Sequence, residues 1–230
     1  MGYRALWIPE AWGREAFSNA QLQLSQSSRI IIATGIANIW GRDAVAAVNA
    51  ARTLNAAFDQ RFVLGLGVSH APLVERLRGH QYQTPVAAMQ SYLEAMDAVT
   101  SFSPDSRQPY ARVIAALGPK MLELSATRTA GAHPYFTTPE HTAYSRQVMG
   151  EGPLLAPEQM VVLESDPVEA RRIARAGMKI YLGLPNYFNN LARLGFTEDD
   201  WGNGGSDRLV DAIVAWGTPE QIAARVKQHH

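Results

Sequence analysis

Cysteine is absent from the 230 residues. That excludes disulfides, thiolate metal sites and a cysteine nucleophile together. Charge is sparse and balanced: Asp, Glu, Lys and Arg make up 18% of the chain, 21 of each sign, for a formal net charge of zero. No basic face invites nucleic acid, and a charged fraction below the average of about 25% fits burial of some surface against a partner subunit. Long apolar runs are missing too. None approaches the ~20 residues that cross a bilayer, and the opening Met1-Gly-Tyr-Arg-Ala-Leu-Trp7 has no basic segment leading into an apolar core. The expectation is a soluble, cytoplasmic protein that binds neither membrane nor nucleic acid.

What is present is a hydrophobic fraction of 47%, enough for one large core and a single domain over 1–230. Six short apolar runs read as strands buried on both faces: Arg4–Pro9, Ile30–Thr34, Phe62–Leu66, Val113–Leu117, His133–Thr137 and Met160–Glu164. Amphipathic helices lie between them. Val45, Val48, Ala51, Leu54 and Phe58 share one stripe, and Val86, Met89, Leu93 and Met96 another. Thr138-Pro139-Glu140, Asp166-Pro167 with Glu169, and Thr218-Pro219 with Gln221 are helix starts, each an N-cap followed by proline and an acid or amide. Alternating strand and capped helix predicts an α/β fold with a parallel sheet and right-handed crossovers. Two stretches, Thr100–Pro109 and Leu184–Gly205, read as long loops.

Such a pattern suits either a doubly wound sheet or a TIM (β/α)8-type barrel. The run Arg61-Phe-Val-Leu-Gly-Leu-Gly-Val-Ser-His70 decides against the first. A dinucleotide fingerprint needs a third small residue where His70 stands, and an acid ending the next strand, which here closes on Leu117-Gly118-Pro119. Gly65 and Gly67 are better read as close packing at a strand end. In a barrel the C-terminal strand ends Glu10, Thr34-Gly35-Ile36, Gly67-Val68-Ser69-His70, Leu117-Gly118-Pro119 and Thr137-Thr138 build one mouth. Small, hydrogen-bonding residues suit a flat ring lying there.

Taken in order, Gly2–Glu10, Ala33-Thr-Gly-Ile36 with Arg42, Arg61–Ser69, Ala116–Leu124, Gly131–Tyr135 with Thr138–His141, and Gly217–Glu220 resemble the bacterial luciferase-like monooxygenase superfamily. The likeness is to its actinobacterial branch of coenzyme F420-dependent oxidoreductases. It implies a luciferase-like barrel, a homodimer, and a bound deazaflavin, with FMN as the alternative, exchanging hydride with a small organic substrate. By resemblance Gly35-Ile36 is the strand-end bulge, often with a non-proline cis peptide, behind the ring, flanked by Thr34 and Asn38. Gly67, Val68 and Ser69 lie beside the ring, and Leu117-Gly118-Pro119-Lys120 receives the phosphate tail on a helix N-terminus. Sugar-phosphate-oxidising relatives carry Asp-His where this chain has Glu10-Ala11, and Glu where it has His70, which argues against that substrate. The barrel's first and last strands also have no counterpart in the chain, so a partner subunit, a rearranged end or a longer protein would close the gap.

Several side chains have two readings. His70 is the acid/base candidate, because imidazole titrates near neutrality, or it caps the next helix. Glu10 is a second acid/base candidate, or an ion-paired cap. Trp12, Trp40 and Thr137 line the expected substrate pocket, with core packing the alternative for the tryptophans. Arg42, Arg76 and Arg78 are candidates for cofactor phosphates or plain solvated surface. His133 opens a strand and so is structural. His133 and His141 lack zinc spacing, and no metal is expected. The leading expectation is an F420-dependent oxidoreductase; an FMN-dependent monooxygenase and a non-catalytic cofactor-binding subunit are the alternatives.

Overall fold

The computed structural model describes residues 2–10, 13–100 and 109–230. Its chain contacts group into two compact units, Met1–Ala115 with Glu123–His133, and Ala116–Leu122 with Pro134–His230.

The first unit is a parallel sheet whose strands follow one another in chain order: β1 (Ala5–Ile8), β2 (Ile31–Thr34), β4 (Phe62–Gly67), β5 (Ala111–Ile114) and β6 (Gly131–Ala132). The two-residue β3 (Ala37–Asn38) adds to the end of β4. Registers run Leu6 to Ile32, Ile32 to Phe62, Val63 to Ala111 and Ile114 to Ala132. A doubly wound sheet reverses strand order at a switch point; this sheet does not, which is the barrel pattern. Helices α1 (Ala16–Ser25), α2 (Ala44–Ala57), α3 (Pro85–Asp97) and α4 (Pro119–Arg128) make the crossovers.

Each helix buries the face its spacing allows. Met89, Leu93 and Met96 of α3 are buried, as expected. On α2 the stripe differs: Ala44, Ala47, Val48, Ala51 and Leu54 are buried, while Val45 is exposed. Alanine lets a helix approach a sheet more closely than valine would, and packing outranked side-chain hydrophobicity. Strands β5 and β6 begin earlier than expected, so His133 follows β6 rather than opening a strand.

The second unit contains β7 (Leu154–Leu155), a parallel pair β8 (Met160–Val162) and β9 (Val214–Trp216), and six helices: α5 (Pro139–Met149), α6 (Pro167–Met178), α7 (Pro185–Arg193), α8 (Glu198–Trp201), α9 (Asp207–Ile213) and α10 (Pro219–Lys227). The three proline-led caps are present: Thr138, Asp166 and Thr218 each accept the N–H three residues on. The stretch expected to be a loop, 184–205, instead holds α7 and α8, the latter opened by a Thr197/Asp200 capping box. Its apolar faces join a core of Phe136, Met178, Leu191, Leu209 and Ile213. The other expected loop lies almost wholly outside the described residues. Among those described, no helix is long and apolar enough to cross a membrane, and no group of three or more His, Asp or Glu side chains could hold a metal ion.

Candidate functional site

The carboxyl-terminal ends of β1, β2 and β4 pack closely about two glycines. A Cβ on Gly65 would collide with the Thr34 carbonyl oxygen, and one on Gly67 with the Ile36 side chain. Thr34, fully buried, locks the same strands. Its hydroxyl donates to Gly65 O at 2.7 Å and accepts from Gly65 N at 2.9 Å. The chain then turns through a cis Gly35-Ile36 peptide and lays the aliphatic side chain of Ile36 against Gly67 at the strand ends.

Beneath Gly35 sits His133. Its imidazole stacks on Trp7, centroids 4.1 Å apart and 13° from parallel, and its Nε2 lies 2.9 Å from where a Gly35 Cβ would stand. It is 6% exposed. Sequence reasoning assigned His133 to the opposite, stabilising face, because it placed the residue at a strand's beginning. The ladder ends at Ala132 instead, which puts His133 on the site side.

Glu10 and Arg42 anchor the neighbouring turn. Arg42 Nη1 donates to Glu10 Oε2 at 2.9 Å and to Asn38 O at 2.9 Å, while its Nη2 reaches Glu10 Oε1 and Glu15 Oε1. Glu10 also accepts from Asn38 N at 2.7 Å and Ala16 N at 3.3 Å. Burial works to raise the Glu10 pKa, but the Arg42 bond and the two N–H groups outweigh it, and the carboxyl is held below its usual range. An ionised, fully bonded carboxylate is an anchor and a poor proton donor near neutrality. The Arg42 guanidinium, committed to these acceptors, has no fork left for a phosphate.

Asn38 continues the turn by accepting the Trp40 N–H on Oδ1 at 2.9 Å. Trp40 Nε1 then donates to Val68 O at 2.9 Å. Tyr82 donates to Ser69 O at 3.2 Å and faces the Trp40 ring at 6.2 Å. These two aromatic donors hold the carbonyls of a segment in which Ser69 takes a left-handed conformation, φ 57°, uncommon for a residue with a side chain. His70 follows, half-buried; its carbonyl accepts the N–H groups of Leu73 and Val74. The backbone of His70 therefore starts the next turn. Trp40 borders a cavity of about 380 Å³ with Ile39, Gly41, Arg42, Asp43 and His80. Trp12 lies outside the described residues.

The remaining expected residues belong to the second unit. Leu117 O accepts from His141 Nε2 at 2.8 Å, and Gly118 O receives Met121 N and Leu122 N as α4 begins. Exposed Lys120 stands in that first turn. The Arg193 guanidinium lies 3.5 Å from where a Gly118 Cβ would be, adding charge at the same helix end. Thr137 is 1% exposed, and its hydroxyl has no hydrogen-bond partner. Close by in the chain, Phe136 has φ 57°, and its N–H donates to Glu158, whose pKa burial pushes up to about 7. Arg193 and Glu158 were not singled out from the sequence. Arg193 sits in the stretch that read as a loop, and Glu158 in a short link ahead of β8 without a motif.

A luciferase-like monooxygenase family model matches residues 1–230. The chain belongs to that family. A Mycobacterium tuberculosis protein described as "putative coenzyme F420-dependent oxidoreductase" is 24% identical over 256 residues, covering 93% of this chain and 72% of the relative. Among solved structures, the coenzyme F420-dependent tetrahydromethanopterin reductase of Methanopyrus kandleri superposes with a TM-score of 0.71 at 13% identity, covering 99% of this chain and 82% of that one. The oxygenating constituent of 3,6-diketocamphane monooxygenase from Pseudomonas putida, in complex with FMN, gives 0.71 at 13% identity over 99% and 78%. The α/β fold is thus the luciferase-like, TIM-barrel type expected from the sequence, and the relatives are cofactor-dependent oxidoreductases and monooxygenases.

Proposed function

We propose that the protein is an oxidoreductase that uses coenzyme F420 to transfer a hydride to or from a small organic substrate. The observation that carries this reading is the surface made by Ile36 over Gly67 beside the cis Gly35-Ile36 peptide. The Ile36 side chain is aliphatic, and the strands beneath it are fixed by the Thr34 bonds to Gly65, which fits the face of a flat tricyclic ring. The name of the mycobacterial relative supports F420 over other flavins.

The deazaflavin, when bound, supplies or accepts the hydride. Ile36 and Gly67 support its ring. The carbonyls of Val68 and Ser69, held by Trp40 and Tyr82, stay pointed where those donors fix them. His70 is the side chain offered to hold or deliver the proton that must accompany hydride transfer at a carbonyl or alkene. Glu10 and Arg42 keep the Asn38–Trp40 turn in place. Trp40 lines the substrate's cavity. In the second unit, taken by itself, the first turn of α4 with Lys120 and Arg193 carries positive charge suited to an anion.

Fluorescence titration with oxidised F420 and with FMN tests the reading. Saturable F420 binding is expected. FMN binding with oxygen-dependent turnover would make the protein a monooxygenase instead, and binding of neither would remove both.

A further inference from the structure

The sheet of the first unit has a second polar concavity, at the end opposite the site just described. A cavity of about 450 Å³ opens where β5 and β6 begin, and its walls include Arg52, Asp97, Tyr110, Arg112, Arg128 and Thr129. Ala111 there pairs with Val63 near the start of β4, whereas the ring-binding surface lies at Gly67, the end of β4.

Among the described residues, arginines outnumber acids around it. Asp97 is shared by two guanidinium groups, accepting from Arg112 Nη2 at 2.6 Å and from Arg128 Nη2 at 3.0 Å. Glu94 reaches Arg128 only at 4.0 Å. Arg52 meets no acid among the described residues. Its Nη2 makes one long contact, 3.5 Å to Val99 O, and its Nη1 is buried with no hydrogen-bond partner. A guanidinium withdrawn from water without an acceptor is costly. An oxyanion with several oxygens removes that cost, since the planar fork of arginine matches phosphate and carboxylate alike.

We propose that this cavity is a binding site for a small multivalent oxyanion, a phosphate or polycarboxylate metabolite, held by Arg52, Arg112 and Arg128. It lies at the foot of the strands whose tops carry the proposed chemistry, so the ligand would be an effector rather than a substrate. The inference does not depend on which cofactor the protein uses.

Calorimetric titration with inorganic phosphate and, separately, citrate, at ionic strength held constant with chloride, tests it. Saturable binding of at least one is expected, and which of the two binds tells phosphate from polycarboxylate. Arg52→Met keeps the apolar stem and removes the charge; it should weaken binding about tenfold or more, the scale of a lost charge-assisted hydrogen bond. Arg128→Met should do the same, which covers the case in which one variant fails to fold. Arg172→Met, an exposed arginine paired with Glu169 and remote from the cavity in the chain, should change nothing. No saturable binding of either anion, binding that survives both cavity variants, or binding abolished by Arg172→Met would overturn the proposal.

Discussion

The indole of Trp7 lies flat against the imidazole of His133, centroids 4.1 Å apart, and the edge of that imidazole fills the space beneath Gly35. A strand-end residue of β1 and the residue that follows β6 thus form one floor under the turn that begins the proposed ring surface. Gly35→Ala would put a methyl group 2.9 Å from His133 Nε2. Overpacking a filled core costs about 1–3 kcal/mol. Urea denaturation should show a loss of that size, and His133→Ala in the same chain should recover part of it.

Glu10 and Arg42 are 6% and 10% exposed at their side chains. Removing one partner of a buried pair costs about 3–5 kcal/mol, so Arg42→Met should lower the unfolding free energy by several kcal/mol. The Glu10 pKa is depressed in the folded state. Its contribution is therefore present above the unfolded value near 4.5 and lost as pH falls through the folded one. Glu10→Gln should flatten the acid limb of the stability curve, measured by denaturation between neutrality and acid.

Glu158 behaves the opposite way. Burial raises its pKa to about 7, so the stability it contributes is fully present below the unfolded value near 4.5 and lost as pH rises through about 7. Denaturation midpoints of the wild type should carry this falling component between those limits. Glu158→Gln should lack it, and the same slope in both proteins would contradict the assignment.

Thr34→Val keeps the shape of the side chain and deletes both hydroxyl bonds to Gly65. Leaving buried groups unsatisfied costs about 1–3 kcal/mol. Chemical denaturation should register that loss, and affinity for the cofactor should fall with it because Thr34 fixes the strands that carry Gly35 and Gly67.

Much of this architecture was written in local chemistry. Gly65 and Gly67 stand out in the sequence, and the Thr34 carbonyl and the Ile36 side chain lie where their Cβ atoms would stand. The caps at Thr138, Asp166 and Thr218 are legible because each satisfies its own helix end. Features that depend on the partner of a strand were not. His133 changed sides because β6 stops after two residues, a fact set by pairing with Ile114. Strand β9 follows α9 with no intervening residue to announce it. Helix α7 read as a loop because Asn186, Asn189 and Asn190 mask an apolar face containing Tyr187 and Leu191, and Arg193 was hidden with it. Glu10 had two readings in sequence; only the position of Arg42 shows it as an anchor.

The most direct test of the central claim is the affinity of oxidised F420 for the wild type and for Ile36→Asp, which sets a carboxylate on the surface over Gly67. Saturable binding to the wild type, weakened about tenfold or more in a variant that keeps its circular dichroism, is the predicted result. Equal affinity in both proteins, or no binding of F420 to the wild type, would contradict it.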